Sequence, residues 1–480
     1  MDTRDLQTSL RTRTLGRREF LGAAGASALS LKLGILDFAS SLFAGETGPA
    51  GKPRVLAVFL RPEGDRYWMS WPGASYDVEA HQNQYTQTLV EAAKKLGVEL
   101  EIRPVPLDDA DSIEAFVRQT SQSPPDGLFL SVMHIKSWPK LNYIVKNRGE
   151  APAVVFSPLG TAFAKQVQAL RGVPKTFVAA TQDPQWPALG LRMLKTHSDM
   201  KRGRLCMIAG KSAEERPVKS LGTTLCYVPL DTWTTDVAQV DTTDEMRAIA
   251  DYYSKEARQI IEPKQEDILA AAKNYVVARR MMEAEKCQGI SVDCYPLLKE
   301  RRVACGMCLA WSRLLDEGFV GACEADGDAA VSMLLSASLL GRPGFMQDPA
   351  PNTLRNTLIG SHCTCPTRLD GFENPHLPFV LRNQAESASG VALQVLWNPG
   401  QEITMMKFRA PDTIVLGTGR VVDNVEGDAA TACRTSVEVK VNGLADARNV
   451  KDSHQLFLAG KWDEPIRAFA ELAGLKVAGV

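Results

Sequence analysis

From Pro53 onward the chain alternates between two apolar periods. "RVLAVFL" (54–60) is a β-like apolar run, and residues 78–97 read as an amphipathic helix ending at Gly97. "VELEIRPV" returns as a strand, a helix falls near 111–121, and "GLFLSV" (127–132) and "PAVVFSP" (152–158) continue the series. Repeated β–α units predict a parallel, helix-covered sheet. A second alternating block begins at "GRLCMIAG" (203–210). It passes through a helical region at 244–285 to "GISVDCY" (289–295), a helix around 306–317 and "GFVGAC" (318–323). Beyond about residue 350 the pattern changes. "GVALQVLW", "EITMMKF", "DTIVLGTG" and "TSVEVKV" are strand-like runs separated by turn residues, and a helix at 464–475 closes the chain.

The predicted fold class is therefore α/β: two open parallel-sheet, Rossmann-like domains followed by a mostly β C-terminal domain. The expected boundaries are 1–50 for a leader and linker, 51–185 and 186–350 for the two α/β domains, and 351–480 for the β-rich part. No internal repeat, low-complexity tract or glycine-rich phosphate loop interrupts this pattern. "GTGRVVDN" has too few glycines and the wrong context, which disfavours nucleotide binding.

With a formal net charge of −1 and no long segment of one sign, the chain has no electrostatic reason to bind nucleic acid or an anionic membrane. A small neutral ligand fits better. The N-terminus differs in character. Five arginines fall in residues 4–18, ending in "GRREFL", and a moderately apolar Ala-, Leu-, Gly- and Ser-rich stretch runs to about Ala44. Arg17 and Arg18 followed by Phe20 and Leu21 resemble a twin-arginine export leader, with cleavage near Ala44; a basic tail or amphipathic anchor is the alternative. Lys32 and Asp37 make the stretch too polar for a stable membrane span. The leader implies a periplasmic or extracellular protein, and that route carries proteins already folded, often with their cofactor loaded.

The stretch "GACEADGD" (321–328) concentrates candidate chemistry ahead of the apolar run "DAAVSMLLSASLL" (328–340), which reads as a buried helix stopped by Gly341 and Pro343. Asp326 and Asp328 are N-cap candidates. Glu324 directly follows a predicted strand, and Asp348 follows the short strand "GFMQ". If the two strands are parallel neighbours in a β–α–β crossover, both carboxylates lie at the sheet edge where open α/β sheets bind ligands. They would repel unless a cation or proton lay between them, and a divalent ion is the natural occupant. Helix capping or plain solvation is the alternative. Of six histidines, His362 in "GSHCTCP" ends an apolar run and His454 in "DSHQLFLAG" precedes one, so either can complete an Asp/Glu/His site. Among ten cysteines, Cys305 and Cys308 ("CGMC") with Cys363 and Cys365 ("CTC") spell a possible four-thiolate zinc site, against buried free thiols or disulfides.

Residues 318–480 resemble the L-fucose isomerase and L-arabinose isomerase superfamily of metal-dependent aldose–ketose isomerases. The resemblance is carried by "ACEADGDAAVSMLLSASLLGRPGFMQD" and by "SHQLFLAGKWDEPIRAFAELAGLKV", with "GSHCTCP", "ESASGVALQ" and "CRTSVEVKV" beside them. It implies that Glu324, Asp348 24 residues later, and His454 hold the ion, most naturally manganese. It implies further that Glu324 and Asp348 also act as acid and base, moving a proton between neighbouring sugar carbons through an enediol. The export leader, Gln347 before the ligand Asp, and Pro349 and Pro351 after it depart from the family pattern.

His362 is the candidate fourth or supporting residue. Arg61, Trp68 and Trp71 are candidate sugar contacts, or parts of a domain or subunit interface. The family's sites form between subunits, which implies a homo-oligomer, a trimer or hexamer. Two alternatives predict different behaviour. An exported sugar-binding protein without catalysis would bind independently of Glu324, Asp348 and His454. A redox or zinc-structural protein would depend on Cys305, Cys308, Cys363 and Cys365.

Overall fold

The first sheet is parallel throughout, with strands in the order Glu99–Ile102, Arg54–Leu60, Gly127–Val132, Ala153–Pro158 and Thr176–Thr181. Its central strands are buried along essentially their whole length, the result of helices covering both faces of a parallel sheet. The first of those helices, Val78–Leu96, starts where Asp77 accepts the Ala80 N–H at 2.9 Å and ends at Gly97 in a left-handed conformation. The computed structural model in which this is seen describes residues 51–62, 66–68, 75–425 and 433–480, with the side chains of 66–68 and 75–76 left aside. The arginine-rich N-terminal stretch expected to be a leader, and Trp71, lie outside the described residues.

The second sheet runs Val320–Cys323, Gly289–Val292, Arg204–Ile208 and Thr224–Val228 in parallel, with Glu214–Pro217 antiparallel at the far edge. Gly289 is required by a close approach: a Cβ there would lie 2.2 Å from the Cβ of Val320 on the paired strand. The helical region expected at 244–285 is two helices, Asp244–Glu256 and Gln265–Ala284. Between them Gln259–Ile260 pairs with Phe379–Gln384 in a small separate sheet.

The β-rich part closes into a barrel. Glu402–Arg409, Gln455–Ala459, Phe345–Asn352, Thr357–His362, Thr435–Val441 and Thr413–Asn424 pair in that order, and the last pairs back on the first. Lys476–Gly479 adds to the outside of Thr413–Asn424, in parallel. Sheets and barrel together form one compact unit from Pro49 to Val480. The helix Gly327–Leu340, buried on nearly every face, packs against both the barrel strand Glu402–Arg409 and the helix Trp186–Arg202. Among the described residues no helix is long and apolar enough to cross a membrane.

Barrel closure overturns the β–α–β crossover expected around residues 318–348. Val320–Cys323 is an edge strand of the second sheet, and the chain does not return beside it. Phe345–Asn352 joins the barrel instead, antiparallel to Gln455–Ala459 through residues 345–347 and to Thr357–His362 through 348–352. Entering the barrel lets this strand pair along its full length, each half with its own neighbour. Pro349 and Pro351, which have no N–H to donate, fall in the half that pairs with Thr357–His362 alone. Asp348 is thus the fourth residue of a strand, not the residue after its end.

Candidate metal centre

Glu324 leaves the second sheet immediately after Cys323. It and Ala325 both have left-handed backbones, φ 60° and 53°, before Asp326 opens the helix Gly327–Leu340. His454, entering the barrel strand Gln455–Ala459, has φ 56°, and Asp452 just before it has φ 65°. Each of these four non-glycine residues costs roughly 1–2 kcal/mol in that region. Strain of this kind gathers where a side chain must be held for function.

The strained turns bring three side chains together. The nearest Glu324 oxygen lies 3.8 Å from His362 Nε2, and the other lies 3.5 Å from His454 Nε2. Glu324, His362 and His454 each offer a donor atom within 4.8 Å of the others, and they form a group that can hold a metal ion. Two ligands about 2.1 Å from one ion lie about 3 Å apart when at right angles and about 4.2 Å when opposite, so the observed spacings fit a shared ion. The two imidazoles are nearly enclosed, with side chains 8% and 12% exposed, whereas Glu324 at 45% and Asp348 at 54% face solvent. Asp348 Oδ1 lies 3.7 Å from His454 Nε2, beside the triad on its open side.

Both imidazoles are held from behind. Asp326 accepts a hydrogen bond from His454 Nδ1 at 2.9 Å, and Thr364 Oγ1 lies 3.1 Å from His362 Nδ1. Each ring therefore presents Nε2 to Glu324, an arrangement that fixes tautomer and orientation at metal sites. Asp326 also accepts from the Ala329 N–H at 2.9 Å and from Lys407 Nζ at 3.1 Å; Lys407 in turn donates to the Ser453 carbonyl at 2.7 Å.

Electrostatics follow from this packing. Burial alone would raise the Asp326 pKa, but the bonds from His454, Ala329 and Lys407 outweigh it and hold the carboxyl at about 2. Burial would lower the His454 pKa, yet the bond to Asp326 and the charges of Asp348 and Glu324 raise it. His362 beside Glu324 holds that carboxyl below the usual range despite partial burial. Asp293, one residue past the strand paired with Val320–Cys323, is pushed up by burial and by the charge of Glu324.

Of the residues singled out in the sequence, Glu324, His362 and His454 meet directly and Asp348 adjoins them. His362 is a member of the triad and not an outlying support. Arg61 directly follows the strand Arg54–Leu60 of the first sheet, where its Nε donates to Gln82 at 2.7 Å and its Nη1 to the Pro62 carbonyl at 3.2 Å. Trp68 lies in a short strand, Arg66–Trp68, and its side chain is outside the described residues.

The four-thiolate combination is not assembled. Cys308 packs against Cys363, but Cys305 lies against Gly390 and Cys365 beside Trp397, and all ten cysteines are free thiols. Asp326 was legible as an N-cap but not as the anchor of His454. Lys407, a charge within the apolar run "EITMMKF", was the signal that a buried anion lay opposite.

No model of a known protein family matches the chain, and no curated protein matches it. Among solved structures, a carbohydrate transporter from Acidothermus cellulolyticus 11B in complex with myo-inositol aligns with a TM-score of 0.18 and 12% identity. The alignment covers 61% of this chain and 89% of that one, a likeness too slight to carry an argument.

Proposed function

We infer that this protein is a metal-dependent aldose–ketose isomerase of the L-fucose and L-arabinose isomerase kind, exported from the cytoplasm and assembled as a homo-oligomer. The observation that carries the reading is the placement of the Glu324 carboxylate between the Nε2 atoms of His362 and His454, with Asp348 alongside and open to solvent. A mixed oxygen and nitrogen set of this kind suits manganese. Bound there, a divalent ion would polarise a sugar carbonyl and stabilise charge developing on its oxygen.

The chain's own residues supply the rest. Glu324, held deprotonated beside two imidazoles, is placed to take a proton from the carbon next to the carbonyl. Glu324 would return that proton to the neighbouring carbon, and Asp348, with more than half its side chain exposed, faces the space a substrate would enter and is placed to carry the hydroxyl proton from one sugar oxygen to the other. Asp326 and Thr364 keep both imidazole rings oriented while this happens. The export leader and the sugar contacts proposed for Arg61 and Trp68 rest on the sequence.

The first experiment is elemental analysis of the chain from residue 45, supplied with manganese, beside Glu324→Gln, Asp348→Asn and His454→Ala. Ion present in the parent and lost in the variants supports the reading and directs a screen of aldoses. Ion absent from the parent, or retained in all three variants, removes it and leaves sugar binding without catalysis as the better account.

A further inference from the structure

His362 is followed in the chain by Cys363, and Cys363 is one of three thiols in contact. Cys308, Cys363 and Ala392 form a small buried cluster, with Ala385 and Cys433 packed against it. Cys363 thus packs with Cys308 inside the cluster, and Cys433 lies against it from the more open side. The backbone explains the second contact. His362 and Thr435 are the last paired residues where Thr357–His362 meets Thr435–Val441, so Cys363 lies one residue beyond the ladder on one strand and Cys433 two residues before it on the other. Exposure separates the three: Cys308 and Cys363 are buried at 7% and 4%, while Cys433 is partly open to solvent.

We propose that Cys433 and Cys363 are a thiol–disulfide modification site whose oxidation displaces His362 and so weakens ion binding at the Glu324 triad. The co-reactant is a low-molecular-weight disulfide. The Cys433 thiolate attacks one of its sulfurs, releasing one small thiol and leaving a mixed disulfide on Cys433. The Cys363 thiolate then attacks the Cys433 sulfur, forming the protein disulfide and releasing the second small thiol. Two protein thiols are oxidised, one small disulfide is reduced, and the two protons lost by the cysteines reside on the two released thiols. Cys433 is the entry point because it is the most open of the three, and Cys363 is the resolving thiol because Cys433 packs against its cluster at the end of the same ladder.

The consequence at the triad is geometric. Bonding draws two sulfurs to about 2.05 Å, well inside a non-bonded contact, so the end of the strand carrying His362 and Cys363 must shift. Metal–ligand distances tolerate only about 0.2 Å. The effect on the ion rests on the metal reading of the site; the disulfide and the movement of His362 do not.

The test uses the full chain, reduced or treated with oxidised glutathione, with disulfides mapped by mass spectrometry. Cobalt(II) binding and modification of His362 by diethyl pyrocarbonate are measured in both states. A Cys363–Cys433 cross-linked peptide is expected. With it should come cobalt binding at least tenfold weaker, altered His362 modification, and recovery of both on adding dithiothreitol. Cys433→Ser should bind cobalt equally well before and after the oxidant. The proposal is overturned if Cys363 remains free or bridges Cys308 instead, or if the Cys363–Cys433 bond forms while His362 modification is unchanged. If the reduced parent binds no cobalt, the metal reading fails, and His362 modification still decides the proposal.

Discussion

Asp326 lies 2.9 Å from His454 Nδ1, and the same carboxylate caps the helix Gly327–Leu340 through the Ala329 N–H. One side chain thus starts a largely buried helix and orients an imidazole of the triad. The two duties separate on mutation. Asp326→Asn keeps a capping oxygen but loses the charge that Lys407 and His454 share. We expect divalent-ion affinity to fall about 10–100-fold, with a lower melting temperature because Lys407 is left buried without its counter-charge. Asp326→Ala should lose the affinity and about 1 kcal/mol more stability than Asp326→Asn, the cap being lost as well. Calorimetric titration beside thermal unfolding of both variants checks this, and an unchanged affinity in Asp326→Asn would remove Asp326 from the site.

Under the proposed isomerase function, Glu324→Gln and Asp348→Asn should abolish aldose turnover while leaving circular dichroism and melting temperature near those of the parent, because both carboxylates are about half exposed. Turnover within a fewfold of the parent in either variant would show that its carboxylate moves no proton.

Away from the site, His197 provides a pH test. Burial, reinforced by the charges of Lys175 and Lys201, lowers its pKa to about 4, so the folded protein keeps it neutral where the unfolded chain would protonate it near 6.5. The unfolded state therefore binds more protons below pH 6.5, and stability is lost as pH falls from 6.5 toward 4, by about 3 kcal/mol at most. His197→Gln should flatten that part of the profile. Urea unfolding at intervals from pH 7 to pH 4 reads the difference, and parallel profiles for parent and variant would contradict the assignment.

Gly289→Ala should destabilise the second sheet by about 1–3 kcal/mol, since the added methyl would meet the Val320 Cβ on a paired strand that cannot swing aside. Chemical denaturation measures it. A neutral result would mean that the strands Gly289–Val292 and Val320–Cys323 separate more readily than their register suggests.

Much of this architecture was legible because the chain announces it locally. The helix Val78–Leu96 carries its own cap at Asp77 and its own stop at Gly97, and Gly327–Leu340 is bracketed by Asp326 and Gly341 in the same way. The three central strands of the first sheet read as apolar runs because both of their faces are covered; Thr176–Thr181, half-exposed and rich in threonine and alanine, did not. What local pattern could not supply was the partner of Phe345–Asn352. A short apolar run after a helix looks the same whether it rejoins its sheet or enters a barrel, and the choice is made by strands about a hundred residues further on.

The same limit applies to the triad. Glu324, Asp348, His362 and His454 were each visible as residues at strand ends, but their assembly depends on pairings between residues 345–362 and 435–459. The parallel-edge argument pointed to the right carboxylates through a crossover that does not exist. Thr364, Lys407 and the second duty of Asp326 depend on those same long-range contacts.

Glu324 comes from the open sheet, whereas His362, His454 and Asp348 come from the barrel. A ligand gripping both sides acts as a rivet across a seam. At a free concentration of 100 times its dissociation constant it would add about 2.7 kcal/mol to the folded state. Chelation would then do more than empty the site: it would loosen the joint between sheet and barrel, and protease cutting should appear first along the connections that cross it.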